Sequence, residues 1–245
     1  KHILVEKPFT KQLDYAQQIV DEAAQRNLKV AVCQNARYSA KFVTMARLVR
    51  EGSLGRPAFG LQTTFGWRAG VHHSGMDRHA YLWERGIHDL DTMRFVFGAA
   101  PKRTWGHSFN PDWSPYRGGG GAHGWVEFED GSTCGYMCTF VAHKGGGSFR
   151  IELEGGSMEP TSEGISLTRP GTKEAELIPL DEVKESTTII LDGFAAYINN
   201  DEEPEFSGRQ NLTTVAMVEA MGVASDEGRI IDFDEYLQRP AAGQS

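Results

Sequence analysis

Residues 1–33 read KHILVEKPFTKQLDYAQQIVDEAAQRNLKVAVC, and this stretch decides the fold. Residues 2–5 end in the apolar run Ile3, Leu4 and Val5 and read as a short strand. After Pro8, the residues Leu13, Ala16, Gln17, Ile19, Val20, Ala23 and Ala24 recur at helical spacing, and Asn27 is the stop. Residues 29–33 make a second apolar strand. Strand, helix and strand in this length form a βαβ unit, which wants a parallel sheet. Neither strand alternates, so both faces should be covered. One unit cannot cover both faces of its own strands. The segment therefore reads as the tail of a parallel-sheet domain whose earlier strands are missing.

The first strand ends in Glu6, Lys7 and Pro8. A carboxylate, an ammonium and a proline of fixed φ at such a tip stand where open α/β sheets take their ligands. From these three residues alone, a solvated loop is an equally good reading.

Further along, residues 40–51 form a helix on Phe42, Met45, Ala46 and Val49, closed by Gly52. Residues 54–57 are a turn, and 58–67 alternate as a strand. A helix covers 81–97. Beyond Pro101 strands follow at 103–109, 123–129, 133–141, 149–154, 165–168 and 176–179, with Asp130-Gly131 as a hairpin turn. Helices at 188–199 and 210–225 precede a last apolar run at 230–233. The glycine runs 118–121 and 145–147 open no amphipathic helix, so they read as loops. The predicted class is α+β: a βαβ unit, then a large, mostly antiparallel open sheet with helices on one face.

Composition narrows the function. The chain is 40% hydrophobic and 24% charged, with net charge −8. It has no Lys/Arg-rich run, which argues against nucleic acid. No window of apolar residues is long enough to span a membrane, and the N-terminus does not read as a signal peptide. Three cysteines, Cys33, Cys134 and Cys138, suit a reducing, cytoplasmic compartment. Cys134 and Cys138 share a strand face and read as buried thiols, not as metal ligands.

The densest chemistry lies at Glu84, His88, Asp89 and Asp91. On a helix, Glu84 and His88 are i, i+4, and His88 and Asp91 are i, i+3, so all three can share a face. A carboxylate beside an imidazole can orient the ring and raise its basicity, as in a general base. A surface salt-bridge cluster is the plain alternative. Upstream, the stretch 67–79 carries Arg68, Arg78, His72, His73 and His79, suited to hydroxyl or carboxylate recognition. Adjacent histidines on an extended segment point to opposite sides, so no metal site is assigned. Trp105, Trp113, Tyr116 and His123 offer aromatic faces to a sugar or to the core.

Five motifs in order resemble one family. They are residues 1–8 (KHILVEKP), Asn35-Ala36-Arg37-Tyr38, Gly52-Ser53-Leu54-Gly55, the run from Glu84 to Asp91, and the closing Ser225-Asp226-Glu227-Gly228-Arg229. This is the order of the Gfo/Idh/MocA oxidoreductases, a family that includes glucose–fructose oxidoreductase and inositol dehydrogenase. The resemblance implies that residues 1–35 are the C-terminal remnant of a Rossmann NAD(P)-binding domain. Residues 36–245 would be the α/β domain for substrate binding and oligomerisation. It further implies a dehydrogenase acting on a CH–OH group of a sugar, cyclitol or related polyol. His88 would exchange the hydroxyl proton and Lys7 would hold the oxygen, with Glu84 in the catalytic set. Glu6, Lys7, Pro8, Asn35 and Arg37 would meet NAD or NADP, and Arg68, His72, His73 and Asp91 the substrate.

Two departures stand out. No strand in the chain runs into GxGxxG, so this chain by itself is expected to hold NAD(P) weakly or not at all. Glu84 stands where the family usually has Asp, which shifts the carboxylate outward. The rival reading is a non-catalytic sugar-binding or assembly module that works with a partner chain. Strands apolar on both parities, with Met137 and Val141 against Tyr136, Cys138 and Phe140, predict a homo-oligomer, a dimer or tetramer.

Overall fold

The computed structural model describes residues 1–71 and 73–238. Its N-terminal unit is β1 (Ile3–Glu6), α1 (Leu13–Gln25) and β2 (Val30–Cys33), the strands parallel with Ile3 opposite Val30 and Glu6 opposite Cys33. Helix α1 buries Leu13, Ala16, Val20 and Ala23, one stripe at helical spacing. It lies against α5 (Gly208–Glu227). The far edge of β2 is met by the segment ahead of α5, where the Val32 N–H donates to the Phe206 carbonyl at 2.9 Å.

A 3-10 turn, Asn35–Tyr38, leads into α2 (Ala40–Arg50). The sheet that follows is built from β3 (Pro57–Trp67), β4 (Pro101–Phe109), β5 (Gly121–Phe128), β6 (Thr133–Thr139), β7 (Val141–Leu153), β8 (Gly156–Pro160), β9 (Ile165–Thr168), β10 (Ala175–Ile178) and β11 (Ile231–Asp232). These nine strands lie in the order β10-β9-β8-β7-β3-β6-β5-β4-β11. Every neighbouring pair is antiparallel except β3 and β6. Strand β3 sits mid-sheet because the chain leaves it, crosses through α3 (Ile87–Phe97) and returns on its flank.

One face carries Val126, Phe128, Cys134, Tyr136, Cys138, Phe149 and Ile151, all buried beneath α2, α3 and α5. On the other face Phe59, Leu61 and Trp67 are exposed. Helix α4 (Ser186–Asn200) packs on β2, and the short α6 (Phe233–Leu237) closes the β4 edge.

The α+β reading holds, with three local corrections. The run 145–147 is strand, not loop: a β-carbon at Gly147 would lie 2.3 Å from the Thr63 carbonyl oxygen, so glycine marks close strand approach. Strand β8 was hidden by its glycine and proline ends. Val141 does not end the preceding strand but opens β7, and it is buried.

Arg37 and Asp91 are engaged with each other in the interior. They form an ion pair with 2% and 0% side-chain exposure. Arg37 Nε donates to Asp91 Oδ2 at 2.7 Å, and a second guanidinium nitrogen bonds Oδ1. Arg37 also donates to the Glu205 carbonyl at 3.2 Å, and the Thr214 hydroxyl donates to Asp91 at 2.7 Å. The pair joins the turn after β2 to α3 and α5. Arg37→Met alone strands a buried carboxylate and should cost about 3–5 kcal/mol in urea unfolding. Arg37→Met with Asp91→Leu should recover most of that loss.

Candidate active site

Lys7 leaves the tip of β1 half-buried, and its Nζ donates to the Glu84 carbonyl at 2.8 Å. Glu84 lies in a π turn, Leu82–Gly86, just before α3. A π turn closes on i+5, so the α-helical face that would align residues 84 and 88 is not maintained there. The Glu84 carboxylate instead pairs with Arg68, whose guanidinium lies 4.3 Å over the Phe140 ring.

His88 occupies the first turn of α3. Its Nδ1 faces the side-chain nitrogen of Gln34 at 3.4 Å, and the same nitrogen donates to the Ile87 carbonyl at 3.1 Å. Gln34 is fully buried and follows directly on β2. Burial, chiefly, and then the positive charges of Lys7 and Arg85 hold the His88 imidazole down to about 4, against a smaller opposing pull from Asp91. The ring is therefore neutral at neutral pH. Lys7 is itself held below the usual lysine value, by burial first, with Arg85 and Arg68 adding to it and Glu6 opposing.

Arg85 is anchored from below. Its Nε lies 3.3 Å from Asp89, which is fully buried and accepts from the hydroxyls of Tyr81 and Tyr136 at 3.0 Å each. Arg85 and His88 line a cleft of about 220 Å³ shared with Lys41, Thr63, Thr64 and Ser148. Gln62, 5% exposed, also lines it, and its Oε1 has no hydrogen-bond partner among the described residues.

Residues 42–159 match the family model of the GFO/IDH/MocA C-terminal domain. Over 249 residues the chain is 25% identical to D-apiose dehydrogenase of Paraburkholderia graminis, covering 94% of this chain and 66% of that protein. Over 251 residues it is 24% identical to 1,5-anhydro-D-fructose reductase of Ensifer adhaerens, covering 97% and 74%. An oxidoreductase from Agrobacterium radiobacter, solved in complex with NAD+, L-tartaric acid and magnesium, superposes with a TM-score of 0.84 at 19% identity, covering 96% and 73%. The chain is thus similar to the Gfo/Idh/MocA oxidoreductases, whose C-terminal domain model it matches over residues 42–159.

Against the family reading, the structure brings Lys7, Glu84, Arg68 and His88 together. The Glu84 carboxylate pairs with Arg68, and Arg37 and Asp91 pair with each other. Glu6 and Asn35 are exposed at the tips of β1 and β2, beside half-buried Pro8. His72 and the His73 side chain lie outside the described residues. Gln34, Lys41, Gln62 and Arg85 went unmarked as site residues. Gln34 ends a strand, and nothing in its neighbours signals contact with residue 88.

The family's cofactor can be tested against the βαβ unit. The connection from β1 to α1 carries Pro8, Phe9, Thr10, Lys11 and Gln12, with no glycine turn, and the first N–H of α1 donates to the Glu219 carboxylate at 3.2 Å. This helix N-terminus is therefore engaged by a carboxylate of the chain itself and is not open to an anion.

The His88 titration is directly measurable by NMR. It should occur near pH 4, and Lys7→Met should move it upward by removing a positive neighbour. The folded-state value lies below the ordinary 6.5, so the unfolded chain takes the proton first. Stability should then fall as pH drops from 6.5 to 4, by about 3 kcal/mol at most, and level off below.

Proposed function

We propose that the chain belongs to an NAD(P)-dependent oxidoreductase acting on a CH–OH group of a sugar, cyclitol or related polyol. Residues 1–35 would end its cofactor domain, and 36–245 would form its substrate-binding domain. The observation that carries this reading is the convergence of Lys7 and a neutral His88, contributed by separate elements, beside a cleft rich in hydroxyl and amide groups. The unpartnered Gln62 Oε1 favours a hydroxyl-bearing substrate, because a buried acceptor needs a donor. The names of the relatives, D-apiose dehydrogenase and 1,5-anhydro-D-fructose reductase, point to the same class.

Bound NAD(P) would supply or accept the hydride at the substrate carbon. Glu6, Lys7, Pro8 and Asn35, at or just beyond the strand tips, would meet its nicotinamide end. The chain's own work is on the substrate oxygen. The Ile87 carbonyl fixes the orientation of the Gln34 amide, so an N–H faces His88 Nδ1 and makes it the accepting nitrogen. The neutral ring then carries its proton on Nε2, which donates to the substrate oxygen. Lys7 Nζ, with its lowered pKa, exchanges the hydroxyl proton. This reverses the roles that the family resemblance implied for the two side chains. Arg68 and Arg85 keep the site positive as charge builds on the oxygen.

Assay of the longer protein that carries the cofactor domain, with NAD+ and NADP+ against aldoses, cyclitols and small polyols, tests the class, and no turnover on any of them would sink it. Lys7→Met should lower kcat on the order of a hundredfold or more. In the oxidation direction, kcat should rise with pH through the lowered lysine pKa, with no step at the ordinary histidine value. A step there would return the proton-exchange role to His88.

The open sheet face, with Phe59, Leu61 and Trp67 exposed, supports the further reading that a second copy covers it. Light scattering at micromolar concentration should give a dimer or tetramer; a monomer would end that reading.

A further inference from the structure

A second cavity, about 360 Å³, opens behind α3 and shares no lining residue with the cleft at His88. Arg37, Arg50 and Arg94 all line it, and Glu205 is the carboxylate on its wall. Asp91 lies just beneath, and its oxygens are engaged by the two-pronged Arg37 contact and the Thr214 hydroxyl. Glu205 is shared with Arg50 at 3.6 Å. Three guanidinium groups thus meet two carboxylates, and one positive charge is left over.

The surplus falls on Arg94. It reaches Asp91 only at 3.8 Å, and the other contacts of its Nη2 are neutral and long, the Gln210 carbonyl at 3.3 Å and the Thr214 hydroxyl at 3.4 Å. Its Nε is buried without a hydrogen-bond partner among the described residues. A buried guanidinium donor left unpaired is costly, and an oxyanion is the partner that satisfies it best. Arg50, half exposed and lying 4.7 Å over the Phe95 ring, flanks the opening and supplies a second prong.

We propose that this cavity is a binding site for a small oxyanion, a carboxylate or a phosphate, held between Arg94 and Arg50 and separate from the candidate active site. A guanidinium fork matches either anion through paired N–H bonds. The site sits on the helix that carries His88, with Asp91 between the two.

The test follows the arginine Nε–H resonances by NMR during titration with inorganic phosphate, and separately with succinate, at constant ionic strength. The Arg94 resonance should shift and saturate with at least one of them, and which one distinguishes a phosphate ligand from a carboxylate ligand. Arg50→Gln should weaken the binding about tenfold or more, and Lys7→Met should leave it unchanged. No saturable shift with either anion would overturn the proposal, with Arg94 then serving only as a charge at the α3 C-terminus. Loss of the shift in Lys7→Met would also overturn it, by placing the anion in the other cleft. If Arg94→Gln does not fold, the half-exposed Arg50 variant still decides.

Discussion

The buried pair Arg37–Asp91 is the constraint on which the site depends. Taking two charges out of water costs several kcal/mol each, and only full hydrogen bonding offsets it. Here the guanidinium meets the carboxylate twice, and Thr214 and the Glu205 carbonyl take up further capacity. The consequence for α3 is geometric. Asp91 is one turn beyond His88, and Arg37 is one 3-10 turn beyond Gln34. The same short segment after β2 therefore grips α3 at two successive points, the ion pair and the Gln34–His88 contact. Neither can slip while the other holds, so the imidazole is set relative to the strand tip that carries Lys7.

Around that fixed frame the charges are unevenly distributed. Lys7, Arg68 and Arg85 converge, while the Glu84 carboxylate is taken by Arg68 and Asp89 is sunk among tyrosine hydroxyls. A lysine surrounded this way gives up its proton more readily, and a histidine surrounded this way declines one. Both shifts have the same origin, burial reinforced by like charge. A family-typical carboxylate held against the ring would have pushed the imidazole the other way. The Glu84 carboxylate, in the π turn before α3, is paired with Arg68.

The wide sheet is the platform. Its central strand β3 lines the cleft with His88 through Gln62, Thr63 and Thr64, and β7 comes close to it at residue 147 only because glycine has no side chain. The uncovered face leaves apolar side chains exposed that a chain of this length does not cover by itself.

The sequence by itself determined the βαβ unit, the strand-rich half and the helix carrying His88, because hydrophobic period and turn chemistry are local signals. It also marked Lys7 and His88 through a charged strand tip and a dense polar run. Tertiary structure alone decided their partners. Glu84 and His88 stand at helical spacing, but the partner of the Glu84 carboxylate is the distant Arg68. Asp91 and Arg37 look like ligand contacts, but residues 54 apart in the chain neutralise each other in the interior. Gln34 carries no local mark at all. Its role arises from packing against a helix that the chain reaches only after two further elements, and contact between side chains that far apart leaves no trace in either one's neighbours.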